Sequence, residues 1–157
     1  MSQSKGFDMS KMSTASKILL GGGILYFIDL FLQWQRVCFS VVGASACGGV
    51  NGIHGIGILN MLIVLAIIGM EVILIAGMNV EMGTPQMRST VEAGLAGALL
   101  VFTLLKILID NDFISWPSYL GVVLAIVIAY GGWMRWQESK VSGGMTGGSS
   151  MGDGTPS

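Results

Sequence analysis

Charged residues are scarce in this chain. Only 11% of its 157 residues are Asp, Glu, Lys or Arg, whereas 52% are hydrophobic. A soluble domain usually carries about 25% charged residues. Eight basic and nine acidic side chains are too few to cover a domain of this size with a polar surface. The composition therefore excludes an ordinary soluble globule, and its high hydrophobic content excludes a disordered protein.

The chain also lacks the residues that most reaction and binding chemistries need. Its net charge of -1 provides no basic surface, which excludes a nucleic-acid binder. One histidine and two cysteines are too few for an ordinary zinc site. We find no nucleophile–base pair and no nucleotide-binding loop. The sequence therefore predicts no catalytic residue, no metal and no cofactor, and it does not indicate an enzyme.

Four long apolar stretches dominate what is present. A helix needs ~20 mostly apolar residues to cross ~30 Å of hydrocarbon, and each stretch meets or slightly exceeds that length. Helices are expected because backbone groups in lipid must be satisfied within the segment. The predicted spans are residues 17–37, 52–78, 91–109 and 113–134. The predicted fold is an all-α membrane protein, a four-helix transmembrane bundle with short loops over residues 17–137.

The basic residues predict the orientation of the bundle. They cluster before the first span, in the second loop and after the fourth span: Lys5, Lys11, Lys17, Arg88, Arg135 and Lys140. The positive-inside rule then places both termini in the cytoplasm of a plasma-membrane protein. Trp34 and Trp116 would mark the outer interface, and Trp133 and Trp136 the inner one. Residues 1–16 are predicted as a cytoplasmic tail, and the Gly/Ser-rich residues 138–157 as a disordered one.

Both cysteines, Cys38 and Cys47, fall in the first loop, which the charge rule places outside. An oxidising compartment and a separation of nine residues favour a disulfide between them. Residues 39–42 are typical of a strand and residues 43–45 of a turn. A small hairpin closed by the disulfide is therefore expected.

Asp29, Glu71 and Lys106 are the three clear cases of ionisable residues inside predicted spans, where each needs a partner or a purpose. Asp29 and Lys106 lie at similar heights, so they could form an ion pair between helices. Lys106 could equally extend outward towards Asp110, one turn later.

Glu71 is the most isolated of these three residues. It could be protonated, because burial disfavours the charged form. It could instead face a polar seam that contains Asn60, Lys17 or Arg135. A packing or assembly contact is the favoured interpretation, and a proton or cation pathway is the alternative.

His54, the single histidine, begins the second predicted span. It is a weak candidate ligand for haem or a pigment, because haem in a membrane bundle usually takes two histidines. A hydrogen-bonded histidine at the interface is favoured. Small residues on the third and fourth spans suggest a close helix–helix contact. They are Ala93, Gly94, Gly97 and Ala98 on the third span, and Gly121, Ala125 and Ala129 on the fourth.

Two stretches carry a resemblance to a known group of proteins. Residues 27–38 read FIDLFLQWQRVC, and residues 51–55 read NGIHG. Together they resemble the FIDLFLPWQ, two-cysteine and NGWHG pattern of small uncharacterised four-span membrane proteins of actinobacteria. Gln33 replaces the usual Pro and Ile53 the usual Trp, while residues 128–135 are also similar. The resemblance implies a four-span fold and no known activity.

A weaker likeness links Trp34, Cys38 and Cys47 to the first outer loop of claudin-type tetraspan proteins. The loop here is far too short for the claudin sheet, which indicates convergence.

The functional prediction is a structural or accessory protein of an envelope membrane complex. Its partners would be the lipid bilayer and either other membrane subunits or further copies of itself. The alternative is a small transporter, channel or proton-conducting component that uses Asp29, Glu71 and Lys106. An enzyme or cofactor carrier that uses His54 is the least favoured hypothesis.

Overall fold

The computed structural model describes residues 12–77, 84–109 and 114–144, and this part of the chain is mostly helical. Its elements in chain order are α1 (Thr14–Asp29), β1 (Gln33–Val41), β2 (Ala44–Asn51), α2 (Gly57–Ile75), α3 (Pro85–Ile109) and α4 (Trp116–Gly144). Three glycines with a positive φ lie in turns beside these elements: Gly43 between β1 and β2, Gly55 before α2, and Gly77 after α2. The parts of the two predicted tails that comprise residues 1–11 and 145–157 lie outside the described residues.

Side-chain caps stabilise the starts of two helices. The hydroxyl of Ser13 caps α1 by accepting a hydrogen bond from the Ser16 amide at 3.2 Å. The Thr84 hydroxyl accepts one from the Met87 amide at 3.3 Å, just before Pro85 opens α3. These contacts satisfy backbone donors that helix starts leave free.

The two strands form an antiparallel hairpin with a two-residue turn, in which Val41 pairs with Ala44. Gly43 has a φ of 87° in this turn, a conformation that L side chains adopt only at a cost. Cys38 pairs with Cys47 in register, and their sulfur atoms are bonded. The structure thus places the two cysteines as the disulfide prediction requires, and it contains the expected hairpin.

The four helices pack as a ring in which consecutive helices contact each other and α1 also contacts α4. The core lies along the centre of this ring and is made of buried residues from all four helices. They are Leu19, Tyr26, Val64, Ile67, Ala96, Leu99, Ala125 and Ile128. Many large apolar side chains remain exposed on the outer faces of the helices, among them Leu25, Leu62 and Val123. This distribution fits a protein whose surroundings are apolar.

Three helices in the described part of the chain are long and apolar enough to cross a membrane. They are α2, α3 and the segment Trp116–Ser142 of α4. The structure therefore fits a membrane protein by length and composition. Helix α1 has only 16 residues and is not among these three.

The first two predicted spans are too long at the hairpin. Helix α1 ends at Asp29 instead of residue 37, because the chain from Gln33 onward pairs as strand β1. Helix α2 begins at Gly57 instead of residue 52, after a turn in which Gly55 has a φ of 64°.

The last two helices are longer than their predicted spans. Helix α3 starts at Pro85 instead of residue 91, and α4 ends at Gly144 instead of residue 134. Residues 138–144 are thus helical, contrary to the expected disordered tail. In this region Lys140 lies over the ring of Trp136, with its ammonium nitrogen 3.5 Å from the ring centroid.

Candidate functional site

Trp34 attaches the hairpin to the helices. Strand β1 has an irregularity between Gln33 and Gln35, so Trp34 is an extra residue in the ladder and its side chain leaves the exposed sheet. The indole is only 2% exposed and donates a hydrogen bond from Nε1 to the Asp29 carbonyl at 3.0 Å. The Trp34 carbonyl in turn accepts hydrogen bonds from Ser115 and Ser118, each at 2.8 Å. Trp34 is therefore a core residue and not the interfacial anchor that we expected.

We call the end of the bundle that carries β1 and β2 the hairpin end. Polar side chains meet at this end, below Trp34. The hydroxyls of Tyr26 and Thr103 lie 2.7 Å apart, joining α1 to α3 across the ring. The amide nitrogen of Asn60 donates to the Thr103 hydroxyl at 3.4 Å, which adds α2. The Asn60 carbonyl oxygen and both Asp29 carboxyl oxygens are buried and have no hydrogen-bond partner in the described part of the chain.

Lys106 lies at the same end but bonds elsewhere. Its side chain is 3% exposed, and its ammonium group donates to the His54 carbonyl at 2.8 Å. No hydrogen bond joins Asp29 to Lys106, because neither Asp29 oxygen accepts one from any described residue. Similar height along the bundle did not ensure that the two side chains point at each other. The other predicted partner, Asp110, lies outside the described residues.

His54 is exposed and contributes its backbone, not its ring, to the contact with Lys106. Within residues 12–77, 84–109 and 114–144 there is no group of three or more His, Cys, Asp or Glu residues that could hold a metal ion. The weak assignment of His54 as a cofactor ligand gains no geometric support from these contacts.

A second polar cluster lies at the opposite end, which we call the terminal end because α1 begins and α4 finishes there. Glu92 of α3 is 1% exposed and lies 3.4 Å from both Arg88 and Arg135. Arg135 also donates to the hydroxyls of Ser16 at 2.6 Å and Ser13 at 3.1 Å. One guanidinium of α4 therefore joins α3 to the start of α1.

Glu71 of α2 completes this terminal cluster, which we define as Ser13, Ser16, Glu71, Arg88, Glu92 and Arg135. Its side chain is fully buried, and neither carboxyl oxygen has a hydrogen-bond partner among the described residues. Arg88 donates to the carbonyl of Met70, the residue before Glu71, and so places Glu71 beside α3. Of the expected polar neighbours of Glu71, Arg135 belongs to this cluster through its contacts with Glu92 and Ser16.

An apolar layer separates the two polar ends. Asn60 and Glu71 are about 16 Å apart along α2 at 1.5 Å per residue. Fully buried apolar side chains fill this interval, among them Leu19, Val64, Ile67, Leu99 and Ile128. The layer offers no side-chain donor or acceptor, so the described interior holds two separate polar sites and not a continuous polar path.

Small residues do bring α3 and α4 together, but not along the whole predicted pattern. A Cβ added at Gly132 would lie 2.7 Å from the Ala96 side chain, so these two residues mark the close approach. Gly94 and Gly97 have open space where a Cβ would lie. On α4, Gly121 packs under Trp34, Ala125 is fully buried and Ala129 is partly exposed. Ala98 of α3 is also partly exposed.

Sequence reasoning missed several residues of both sites: Tyr26, Thr103, Glu92 and Ser16. The i,i+4 spacing of Arg88 and Glu92 is a helix signal that could have extended the third helix and revealed its buried acid. Nothing in the local sequence marks Tyr26 or Thr103 as partners, since 77 residues separate them. No protein family, curated protein or solved structure matches this chain, so these two sites must be interpreted from their own chemistry.

Proposed function

We propose that this chain is a multi-pass membrane protein with a structural or accessory role in an envelope membrane complex. The observation that carries the proposal is the disulfide-closed hairpin, which exposes apolar side chains while Trp34 at its base is buried against the helices. Phe39, Val41 and Val42 are at least 68% exposed near its turn. Exposed apolar residues on a preorganised element are typical of protein-recognition surfaces.

We propose α1 as the fourth span. It is about 24 Å long at 1.5 Å per residue, and residues 30–32 continue its apolar character. Its packing against α2 and α4 supports this assignment, as do Leu25 and Ile28, which are more than half exposed on its outer side. With four spans, the disulfide and the distribution of basic residues favour an external hairpin and cytoplasmic termini in the plasma membrane.

A photo-crosslinking experiment in native membranes tests the accessory role. A photoreactive amino acid replaces Val42, whose side chain is fully exposed at the hairpin turn. We expect one discrete cross-linked protein product, because a recognition hairpin holds its partner within reach of this position. Mass spectrometry then identifies the cross-linked chain, and a second copy of this chain is one acceptable outcome.

The matched control carries the same photoreactive residue at Leu62, which is half exposed on α2 in the middle of an apolar helix face. That position should react mainly with lipid. If protein cross-linking at Val42 were no stronger than at Leu62, the result would count against the accessory role.

A second candidate function, proton-coupled transport, is supported by a different observation. Asp29 and Glu71 are buried at opposite ends of the bundle, and their carboxyl oxygens have no hydrogen-bond partner among the described residues. Such groups are costly in a membrane protein and often mark ion or proton pathways. The apolar layer between them requires that any such activity be gated, since it blocks a continuous relay in the described arrangement.

Reconstitution into liposomes with an internal pH indicator tests this second function. Under an imposed pH gradient we expect proton flux above that of empty liposomes, lost in Glu71→Gln and retained in Glu138→Gln, a change at an exposed acid of α4. Equal flux for the unmodified protein and Glu71→Gln would remove Glu71 from the mechanism.

A further inference from the structure

We propose that Arg135 exchanges partners between Glu92 and Glu71, and that a proton bound at Glu71 controls the exchange. With the proton bound, Arg135 holds Glu92 and the α1 hydroxyls; without it, Arg135 holds Glu71. The inference deepens the second proposed function by identifying the proton as a ligand of the terminal cluster. It does not require that protons cross the membrane.

The described geometry corresponds to the proton-bound arrangement. Glu71 is fully buried without a hydrogen bond to either oxygen from a described residue. An ionised carboxylate in that position would carry an uncompensated charge, which is far more costly than a neutral carboxyl group. Arg135 meanwhile directs its Nε to Glu92 and its Nη1 to Ser13 and Ser16.

Among the described residues, the charged groups around Glu71 belong to α3 and α4: Arg88 and Glu92 on α3, and Arg135 on α4. Helix α1 contributes the uncharged Ser16, whose hydroxyl accepts a hydrogen bond from Arg135. When Glu71 loses its proton to the aqueous phase, the carboxylate requires a cation, and Arg135 is the arginine of the cluster that the Met70 carbonyl does not hold. The proton is the only species released, so the cluster changes from one net positive charge to zero.

Arg88 keeps Glu92 paired with a cation during the exchange. It lies 3.4 Å from Glu92 and also donates to the Met70 carbonyl at 2.8 Å, so it is fixed beside Glu92 from the α2 side. When Arg135 leaves, Glu92 keeps Arg88 as its partner. The two states therefore contain either one carboxylate held by two arginines or two separate ion pairs, and neither leaves an ionised carboxylate alone.

A groove at Arg135 opens from the cluster to the outside of the bundle. It has a volume of about 450 Å³, and Ser89, Arg135 and Ser139 line it between the start of α3 and the end of α4. The Arg135 side chain is 19% exposed, so water reaches the guanidinium that must move. The exchange would also break the contacts of Arg135 with Ser13 and Ser16 and release the start of α1 from α4.

Nitrogen-15 NMR of arginine side chains tests the exchange in the full chain in lipid nanodiscs. The sequence contains only three arginines, Arg36, Arg88 and Arg135, so arginine-selective labelling gives three resolvable Nε signals. We expect the Arg135 signal to shift in one step as the pH rises, while the signal of the exposed Arg36 stays constant. A constant Arg135 signal over the whole pH range in which the protein stays folded would overturn the proposal.

Two variants decide the cause of the shift. Glu71→Gln mimics the protonated acid, so the Arg135 signal should stay at its low-pH position at every pH. Glu92→Gln removes the competing carboxylate, so the signal should lie at its high-pH position at a pH where the unmodified protein still shows the low-pH one. Glu138→Gln, which changes an exposed acid in the same groove, should leave the transition unchanged.

A shift that survives in Glu71→Gln, or that is lost in Glu138→Gln, assigns the titration to another group and refutes the inference. If Glu71→Gln does not fold, Glu92→Gln alone decides, because an unchanged Arg135 transition in that variant is incompatible with partner exchange. If the NMR transition is present while the liposomes show no flux, the inference stands and the second proposed function fails.

Discussion

At the scale of single residues, the molecule depends on side chains that leave the pattern of their own element. Trp34 belongs to an exposed strand and yet is among the most buried large side chains. Its ring meets that of Tyr26 edge to face, with centroids 6.4 Å apart. A Cβ added at Gly121 would lie 2.5 Å from the indole, so glycine is what lets α4 approach it. One residue thereby links the hairpin, α1 and α4.

Replacing this residue should be costly. We expect Trp34→Ala to lower the free energy of unfolding by about 3–5 kcal/mol, because it leaves a cavity and removes the hydrogen bond to the Asp29 carbonyl. Denaturant titration in detergent micelles, followed by circular dichroism, measures the loss. The control is Trp116→Ala, at a tryptophan that is 68% exposed, which should change stability by no more than about 0.5 kcal/mol. Equal losses in the two variants would show that Trp34 is not the anchor.

At the scale of elements, the hairpin is the part that least resembles its surroundings. A two-stranded hairpin alone is marginal in water, and nearly all of its residues are exposed. The Cys38–Cys47 bond crosses its middle and closes a short loop. Such a bond contributes about 2–3 kcal/mol in the chain-entropy model. The disulfide and Trp34 together therefore replace the hydrophobic core that the hairpin lacks.

Reduction of the disulfide should loosen the hairpin and leave the helices intact. Arg36, exposed in β1, provides a trypsin site there. We expect cleavage after Arg36 to accelerate several-fold in the Cys38→Ser, Cys47→Ser double variant, because strand opening exposes the backbone to the protease. Mass spectrometry of the fragments measures the rate.

Cleavage after Arg88, which is partly buried in α3, serves as the internal reference and should not change. A helical circular dichroism signal that falls together with the hairpin would contradict the independence of the two elements.

The same elements show which boundaries sequence could predict. The existence of four helical segments followed from their apolar runs, but residues 30–32 remain apolar after α1 has ended, before the backbone enters β1. Hydropathy therefore could not place the helix end at Asp29. The continuation of α4 to Gly144 was missed for the opposite reason, since Glu138 and Lys140 are polar but compatible with a helix.

At the scale of the whole molecule, sequence predicted polar residues inside the bundle but not how they meet. Heights follow from position along a helix, whereas the direction of a side chain around the axis depends on the packing of all four helices. Asp29 and Lys106 illustrate the difference, because their heights agree and their hydrogen bonds do not. Arg135, which follows the last predicted span and was one possible partner of Glu71, lies in the terminal cluster, where it contacts α1 and α3.

The whole bundle is therefore polar at both ends and apolar between them. At the hairpin end, hydrogen bonds between neutral side chains join α1, α2 and α3, beside the buried Asp29 and Lys106. At the terminal end, the contacts of Arg135 join α1, α3 and α4. The hydrogen bonds of Tyr26, Thr103 and Asn60 respond little to pH, whereas the contacts of Arg135 depend on which carboxyl groups are ionised.

The extra residue in β1 has a mechanical consequence. The disulfide stiffens the hairpin, and Trp34 is the residue that embeds it in the helices. The strands extend about 25 Å from the indole, at roughly 3.3 Å per residue, and would pivot at that point like a lever. Torque applied near Val42 is delivered to the peptide carbonyl of Asp29 and to the start of α4, where Ser115 and Ser118 hold Trp34. A load on the tip would therefore act on the contact between the first and last helices.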